Sequence, residues 1–160
     1  MANLSQQLAD LIGADRTIAV AESLTGGRLQ SLITATSGSS RYFLGGVTAY
    51  HLKQKERLLG VDAKHGDSVN SVSQRVALEM ATGVRKMFGA SIGVSTTGYA
   101  EPSPENQVDS PFAFYAIDIQ GHTSSGHIDA GTRSRVDVQL FVAETVLSKV
   151  IASCATGAPR

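Results

Sequence analysis

The chain has no tryptophan, one cysteine, four prolines and three methionines among 160 residues, and only 6% of it is aromatic. The lone Cys154 excludes an intramolecular disulfide and a metal site built of thiolates, which fits a reducing compartment. No run approaches the roughly eighteen apolar residues of a membrane span, and the N-terminus lacks the basic segment and apolar stretch of a secretory leader. The expectation is a soluble, cytoplasmic protein without a membrane partner. Neither sign of charge is in excess, since 14 lysines and arginines balance 14 aspartates and glutamates. No global field therefore recruits nucleic acid. Metal ligands at useful spacing are missing as well. His122 and His127 are an odd number of residues apart, on opposite faces of an extended strand, and His51 and His65 have no carboxylate or histidine at ligand spacing. No metal and no cofactor are expected.

What is present is a 42% hydrophobic chain long enough for one core. The expectation is a single domain over residues 1–160, with residues 154–160 as a frayed tail. Leu4, Leu8, Leu11 and Ile12 follow one helical face, and Gly13 stands where a helix would stop. A β-branched run from Thr17 to Ala21 reads as a buried strand, and Arg28, Leu29, Leu32 and Ile33 as the helix after it. Gly45 to Tyr50 is a second strand, Lys53 to Leu59 a helix stopped by Gly60, and residues 61–70 are polar and irregular. Ser73 caps a long helix in which Val76, Met80, Val84 and Met87 share a face, with Gly89 as its stop. Ser91 to Thr96 is a third strand ending in Thr97-Gly98. Residues 99–111 hold three of the four prolines and read as a loop. Phe112 to Ile119 and Thr123 to Ile128 form an antiparallel hairpin about Gln120-Gly121. Val136, Leu140, Ala143, Leu147 and Val150 mark the face of a final helix. The order predicts an α/β fold: one three-layer α/β/α domain whose mixed, mainly parallel sheet carries an antiparallel hairpin.

Such sheets bind ligands beyond the carboxyl ends of their strands. Those ends hold Ser23-Leu24-Thr25-Gly26-Gly27, Tyr50 and Thr97-Gly98, with Lys55 shortly beyond Tyr50. Glycines at a strand-to-helix turn bring main-chain N–H groups toward an anion. Hydroxyl, phenol, amine and backbone donors are the parts of a hydrolytic site. Each residue also has a plainer reading. Ser23 suits a helix cap, Lys55 a solvated surface and Tyr50 a half-buried strand aromatic. Arg133 suits a surface ion pair as well as a phosphate or carboxylate.

Ala21-Glu22-Ser23-Leu24-Thr25-Gly26-Gly27 is followed in order by Gly38-Ser39-Ser40, Gly45-Gly46-Val47-Thr48-Ala49-Tyr50, Lys55 and Leu58-Leu59-Gly60-Val61. Val72-Ser73, Thr97-Gly98, and Gly131 with Arg133 complete the set. This ordered series resembles the CinA C-terminal family, the nicotinamide mononucleotide deamidases, over almost the whole chain. The resemblance implies metal-free hydrolysis of the carboxamide of nicotinamide mononucleotide to nicotinate mononucleotide and ammonia, in a homodimer. It implies Ser23 as nucleophile, Lys55 as its base and Tyr50 as an assisting relay. Thr25, Gly26, Gly27, Thr97 and Gly98 would line the pocket, and Arg133 would bind the ligand's anionic part.

The chain departs from the family pattern at four places. Leu24 replaces a cysteine, Ala100-Glu101-Pro102-Ser103-Pro104-Glu105 replaces a glycine-rich loop, and Pro111-Phe112-Ala113-Phe114 adds bulk. The usual second arginine of the last helix is absent near Asp137. Glu101 and Glu105 would bring negative charge toward an anionic ligand. Two further functions therefore stand beside the amidase: a catalytically silent module that binds a nucleotide or a protein, and a flavodoxin-like flavin carrier whose phosphate loop is residues 23–27.

Overall fold

A computed structural model describes residues 3–156. Helix α1 (Leu4–Ile12) is capped by the Asn3 side chain and stopped by Gly13, and β1 (Ile18–Glu22), buried along its length, follows. After α2 (Arg28–Ile33) and a short 3-10 turn comes β2 (Phe43–Thr48), then α3 (Leu52–Leu59), α4 (Ala63–Ser68) and α5 (Gln74–Phe88). Strand β3 (Ile92–Tyr99) leads through a loop to the hairpin of β4 (Phe112–Ile119) and β5 (His122–Asp129), and α6 (Arg135–Ala155) ends the chain.

The five strands are ordered β2-β1-β3-β4-β5. β1 pairs in parallel with β2 and β3, whereas β3 with β4 and β4 with β5 are antiparallel. β5 therefore runs in the same direction as β1, β2 and β3, and only β4 is reversed, which gives a mixed sheet with four of its five strands aligned. Gln120 and Gly121 both take positive φ (52° and 94°), the two-residue turn whose twist suits a hairpin. This order matches a flavodoxin-like sheet, but that sheet is parallel throughout. The antiparallel β4 therefore removes the flavin-carrier reading at the level of fold.

Alternation along β1, an interior strand, separates two cores. Ile18 and Val20 pack with Leu8, Ile12, Leu29, Ile33 and the buried stripe of α6. Ala19 and Ala21 face Leu59, Val76, Met80 and Val84 of α3 and α5. Small side chains on the second face let α3 and α5 lie close. Gly83 marks the contact, because a Cβ there would stand 2.0 Å from the Leu59 carbonyl oxygen.

Several expectations shift. β2 covers Phe43–Thr48, so Tyr50 lies beyond the strand. Residues 61–70 contain α4, a single polar turn whose N–H groups are capped by Asp62. It has too few apolar residues to show periodicity. The loop over residues 99–111 carries a 3-10 turn at Pro104–Asn106. Leu11 and Met87 are exposed, as are Val136 and Leu140. In α6 the buried stripe begins at Val138 and Val142 and then joins Ala143, Val146, Leu147 and Val150. Apolar residues surround most of that helix, so more than one face fits the spacing. Its 21 residues are long and apolar enough to cross a membrane, yet the stripe is packed against the sheet as a core helix. The helix also continues through buried Cys154 to Ala155, within the predicted frayed tail. Residues 157–160 of that tail lie outside the described residues.

Candidate active site

Because β2, β1 and β3 run in parallel, their carboxyl ends open on one edge, with the end of β1 in the middle. Ser23 is the first residue past β1. Helix α3 starts four residues after β2 and is capped by His51, whose Nδ1 accepts from the Lys53 N–H at 3.2 Å. Lys55 and Leu59, one turn apart, share its inward face. A lysine thus occupies a core position of an amphipathic helix, and its ammonium end is aimed at the end of β1.

Lys55 is 1% exposed. Its Nζ lies 2.9 Å from Ser23 Oγ, 2.7 Å from the Ala49 carbonyl and 3.0 Å from the Tyr50 carbonyl. As an ammonium it donates to all three oxygens. As an amine it has two N–H groups for the carbonyls and a lone pair left to accept the Ser23 hydroxyl proton. Burial pushes its pKa down to about 8, because removal from water disfavours the charged form. Among the described residues no carboxylate is hydrogen-bonded to it.

The turn after Ser23 differs from the sequence expectation. Glu22, fully buried, accepts through Oε2 from the N–H groups of Gly27 (3.1 Å) and Leu29 (3.0 Å), and through Oε1 from Gln30 (2.9 Å). The anion at the N-terminus of α2 is therefore the protein's own carboxylate. Gly26 and Gly27 (φ 58° and 99°) make that turn possible. The Gly26 N–H donates to the Ser23 carbonyl at 3.1 Å. Neither glycine offers a donor to a ligand, which corrects the expected role of both and leaves no flavin-phosphate loop. Thr25 is also turned inward, its hydroxyl paired with that of Thr96 at 2.8 Å. Among the described hydrogen bonds none is donated by the main-chain N–H of Leu24 or Thr25. In strand-turn-helix hydroxyl sites the residue after the nucleophile supplies an oxyanion donor.

Ser23, Tyr50, Lys55, Thr97 and Gly98 line one cleft of about 490 Å³, within the ~300–1,000 Å³ of small-ligand sites. Thr25, Gly26, Gly27 and Arg133 do not line it. Arg133 donates to the Ala130 carbonyl at 2.9 Å, and its guanidinium carbon sits 3.7 Å from the centroid of the Phe141 ring. It belongs to the base of α6. Tyr50 is no relay between Ser23 and Lys55, which touch directly. Its backbone carbonyl holds Lys55, and its phenol, on a side chain 58% exposed, accepts from Arg135 at 2.8 Å.

The far wall comes from the connection between α4 and α5. Asn70 and Ser71 both adopt positive φ (50° and 62°), a costly geometry for residues with a Cβ. Thr97 Oγ1 donates to the Ser71 carbonyl at 2.7 Å, and Asn70 Nδ2 to the Tyr99 phenol at 3.1 Å. Sequence reading did not single out this wall, nor Glu22, nor Arg135. A buried acid closing an apolar strand just before a glycine pair is the signal that marks Glu22.

Residues 2–154 match the CinA C-terminal domain family. Among curated proteins, the CinA-like protein of Chlorobium phaeobacteroides is 46% identical over 118 residues, covering 74% of this chain and 28% of that protein. The CinA-like protein of Salinibacter ruber is 43% identical over 123 residues, covering 74% and 30%. The chain thus spans less than a third of the length of these relatives. Among solved structures, a competence/damage-inducible protein from Agrobacterium tumefaciens has a TM-score of 0.85 at 27% identity, over 93% of this chain and 92% of that one. The competence damage-inducible protein A of Klebsiella pneumoniae reaches 0.90 at 24% identity, over 97% of both chains, a likeness of fold. With the family matched along nearly its whole length and the fold shared with solved members, the chain belongs to the CinA C-terminal domain family.

Proposed function

We propose that the protein is a Ser-Lys amidohydrolase that deamidates nicotinamide mononucleotide to nicotinate mononucleotide and ammonia. The observation that carries this reading is the buried Lys55 Nζ at 2.9 Å from Ser23 Oγ, with a pKa of about 8. A nucleophile held by a base that is neutral in part near physiological pH is the arrangement acyl transfer requires. Ser23 Oγ attacks the carboxamide carbon as its proton passes to Lys55 Nζ, and the N–H group of Leu24, which lines the cleft, receives the developing oxyanion. Collapse breaks the C–N bond, the departing nitrogen takes the proton from Lys55, and ammonia leaves a Ser23 acyl-enzyme. Water, deprotonated by Lys55, attacks the ester, and the acid departs with Ser23 restored.

Ammonia release from nicotinamide mononucleotide tests the proposal. Turnover by the wild type that falls at least ~10³-fold in Ser23→Ala is the expected outcome, and release unaffected by Ser23→Ala would sink it. A second reading, a module that binds a nucleotide without turnover, draws support from Glu101, which holds the nearby Arg135. It calls for thermal stabilisation by the nucleotide with no ammonia formed. The proposal includes a homodimer, following the family resemblance, and a sedimentation mass equal to the 16.8 kDa of one chain would refute that part.

A further inference from the structure

Past Tyr50 and Tyr99 the catalytic cleft continues into an annex of about 170 Å³, which shares Leu24, Tyr50, Gly98 and Tyr99 with it. The charged groups of the annex are Glu101, Glu105 and Arg135. Arg135 Nη1 donates to Glu101 Oε1 at 2.7 Å and Nη2 to the Tyr50 phenol at 2.8 Å. The guanidinium thereby ties the loop after β3 to the loop after β2 beside the cleft. Glu105 is engaged elsewhere, accepting from Ser103 Oγ at 2.7 Å. Among the described residues that line cleft and annex, Arg135 is the only arginine.

We infer that Glu101 is a specificity determinant, an internal anion that occupies Arg135 and competes with the phosphate of a nucleotide substrate for it. The inference rests on the amidase reading of Ser23 and Lys55, since a carboxamide seated at Ser23 leaves the remainder of the ligand to extend along the cleft. The annex is the adjoining space that offers a guanidinium, the group best matched to a phosphate. Arg135 and Glu101 are 44% and 59% exposed. Such a pair is weak, worth up to about five-fold in an equilibrium, so a phosphate can displace the carboxylate. The displaced Glu101 then stands near a like charge. A ligand without phosphate leaves the pair intact, so the penalty falls on phosphorylated substrates alone.

The test compares kcat/KM for nicotinamide mononucleotide with that for its nucleoside, at low ionic strength, in the wild type and in Glu101→Gln. The ratio of nucleotide to nucleoside is expected to rise about five-fold in the variant, chiefly through KM, and any rise of at least about two-fold supports the inference. A smaller rise or a fall overturns it. Adding Arg135→Ala to Glu101→Gln must remove the gain, and a gain that survives points away from Arg135 and overturns the inference too. Calorimetry without turnover separates this inference from the amidase proposal. Nicotinamide mononucleotide should bind Ser23→Ala/Glu101→Gln about five-fold more tightly than Ser23→Ala. Equal affinities overturn the inference. Tighter binding sustains it even if the wild type releases no ammonia, a result that would defeat the amidase proposal by itself.

Discussion

At the scale of residues, the chemistry turns on how a lysine comes to be neutral. Among the described residues Lys55 has no charged partner to hold its proton, only two carbonyls and a hydroxyl, and burial lowers its pKa to about 8. Below that pH the base is mostly protonated. Hydrolysis should therefore rise about ten-fold per pH unit up to about pH 8 and level off above it. A kcat/KM profile flat between pH 6 and 9 would contradict this. The same group makes stability depend on pH. Its pKa is depressed in the folded protein, so between about 8 and the ordinary lysine value near 10.4 the unfolded chain binds more protons. Stability rises with pH across that window, by at most about 3 kcal/mol. A Lys55→Met variant, measured by denaturant unfolding, should lack that increment.

At the scale of elements, α2 is set by Glu22. Three N–H groups of its first turn and a half converge on one fully buried carboxylate, and that bond set also fixes the turn carrying Ser23. In Glu22→Gln an NH₂ group replaces one acceptor and faces N–H donors, so about 2 kcal/mol of stability is lost. The melting temperature should fall by roughly 4–8 °C, and a fall under about 1 °C would mean the cap does not hold the turn. Helix α3 depends on packing instead. It can bring Lys55 to Ser23 because Gly83 of α5 lets the Leu59 carbonyl approach. What was legible in the sequence follows the same division. Helices α1, α3 and α5 announce themselves through glycine stops and, for α5, the Ser73 cap, which are local signals. The second half of the buried face of α6 was read at Ala143, Leu147 and Val150, but its first half and the turn of α4 were not, because tertiary packing chooses Val138 and Val142 over Val136 and Leu140 and polar capping alone makes α4.

At the scale of the whole molecule, the sheet order brings together residues that the sequence keeps apart. Ser23 and Lys55 were legible as candidates because both follow strands that end on the same edge, and the family resemblance joined them. Arg133 was singled out on charge type and motif, and Arg135 was not. In the fold the two residues diverge, one stacking on Phe141 and the other reaching Tyr50 and Glu101. The glycine pair suggested an anion site, and the fold supplied the anion from Glu22, whose role needs the depth of a buried strand to be seen. The central claim is that Ser23 and Lys55, 32 residues apart, act as one nucleophile-base unit. A double-mutant cycle on ammonia release from nicotinamide mononucleotide tests it most directly. Ser23→Ala, Lys55→Met and the double variant should lose activity to nearly the same extent, whereas losses that multiply would contradict it.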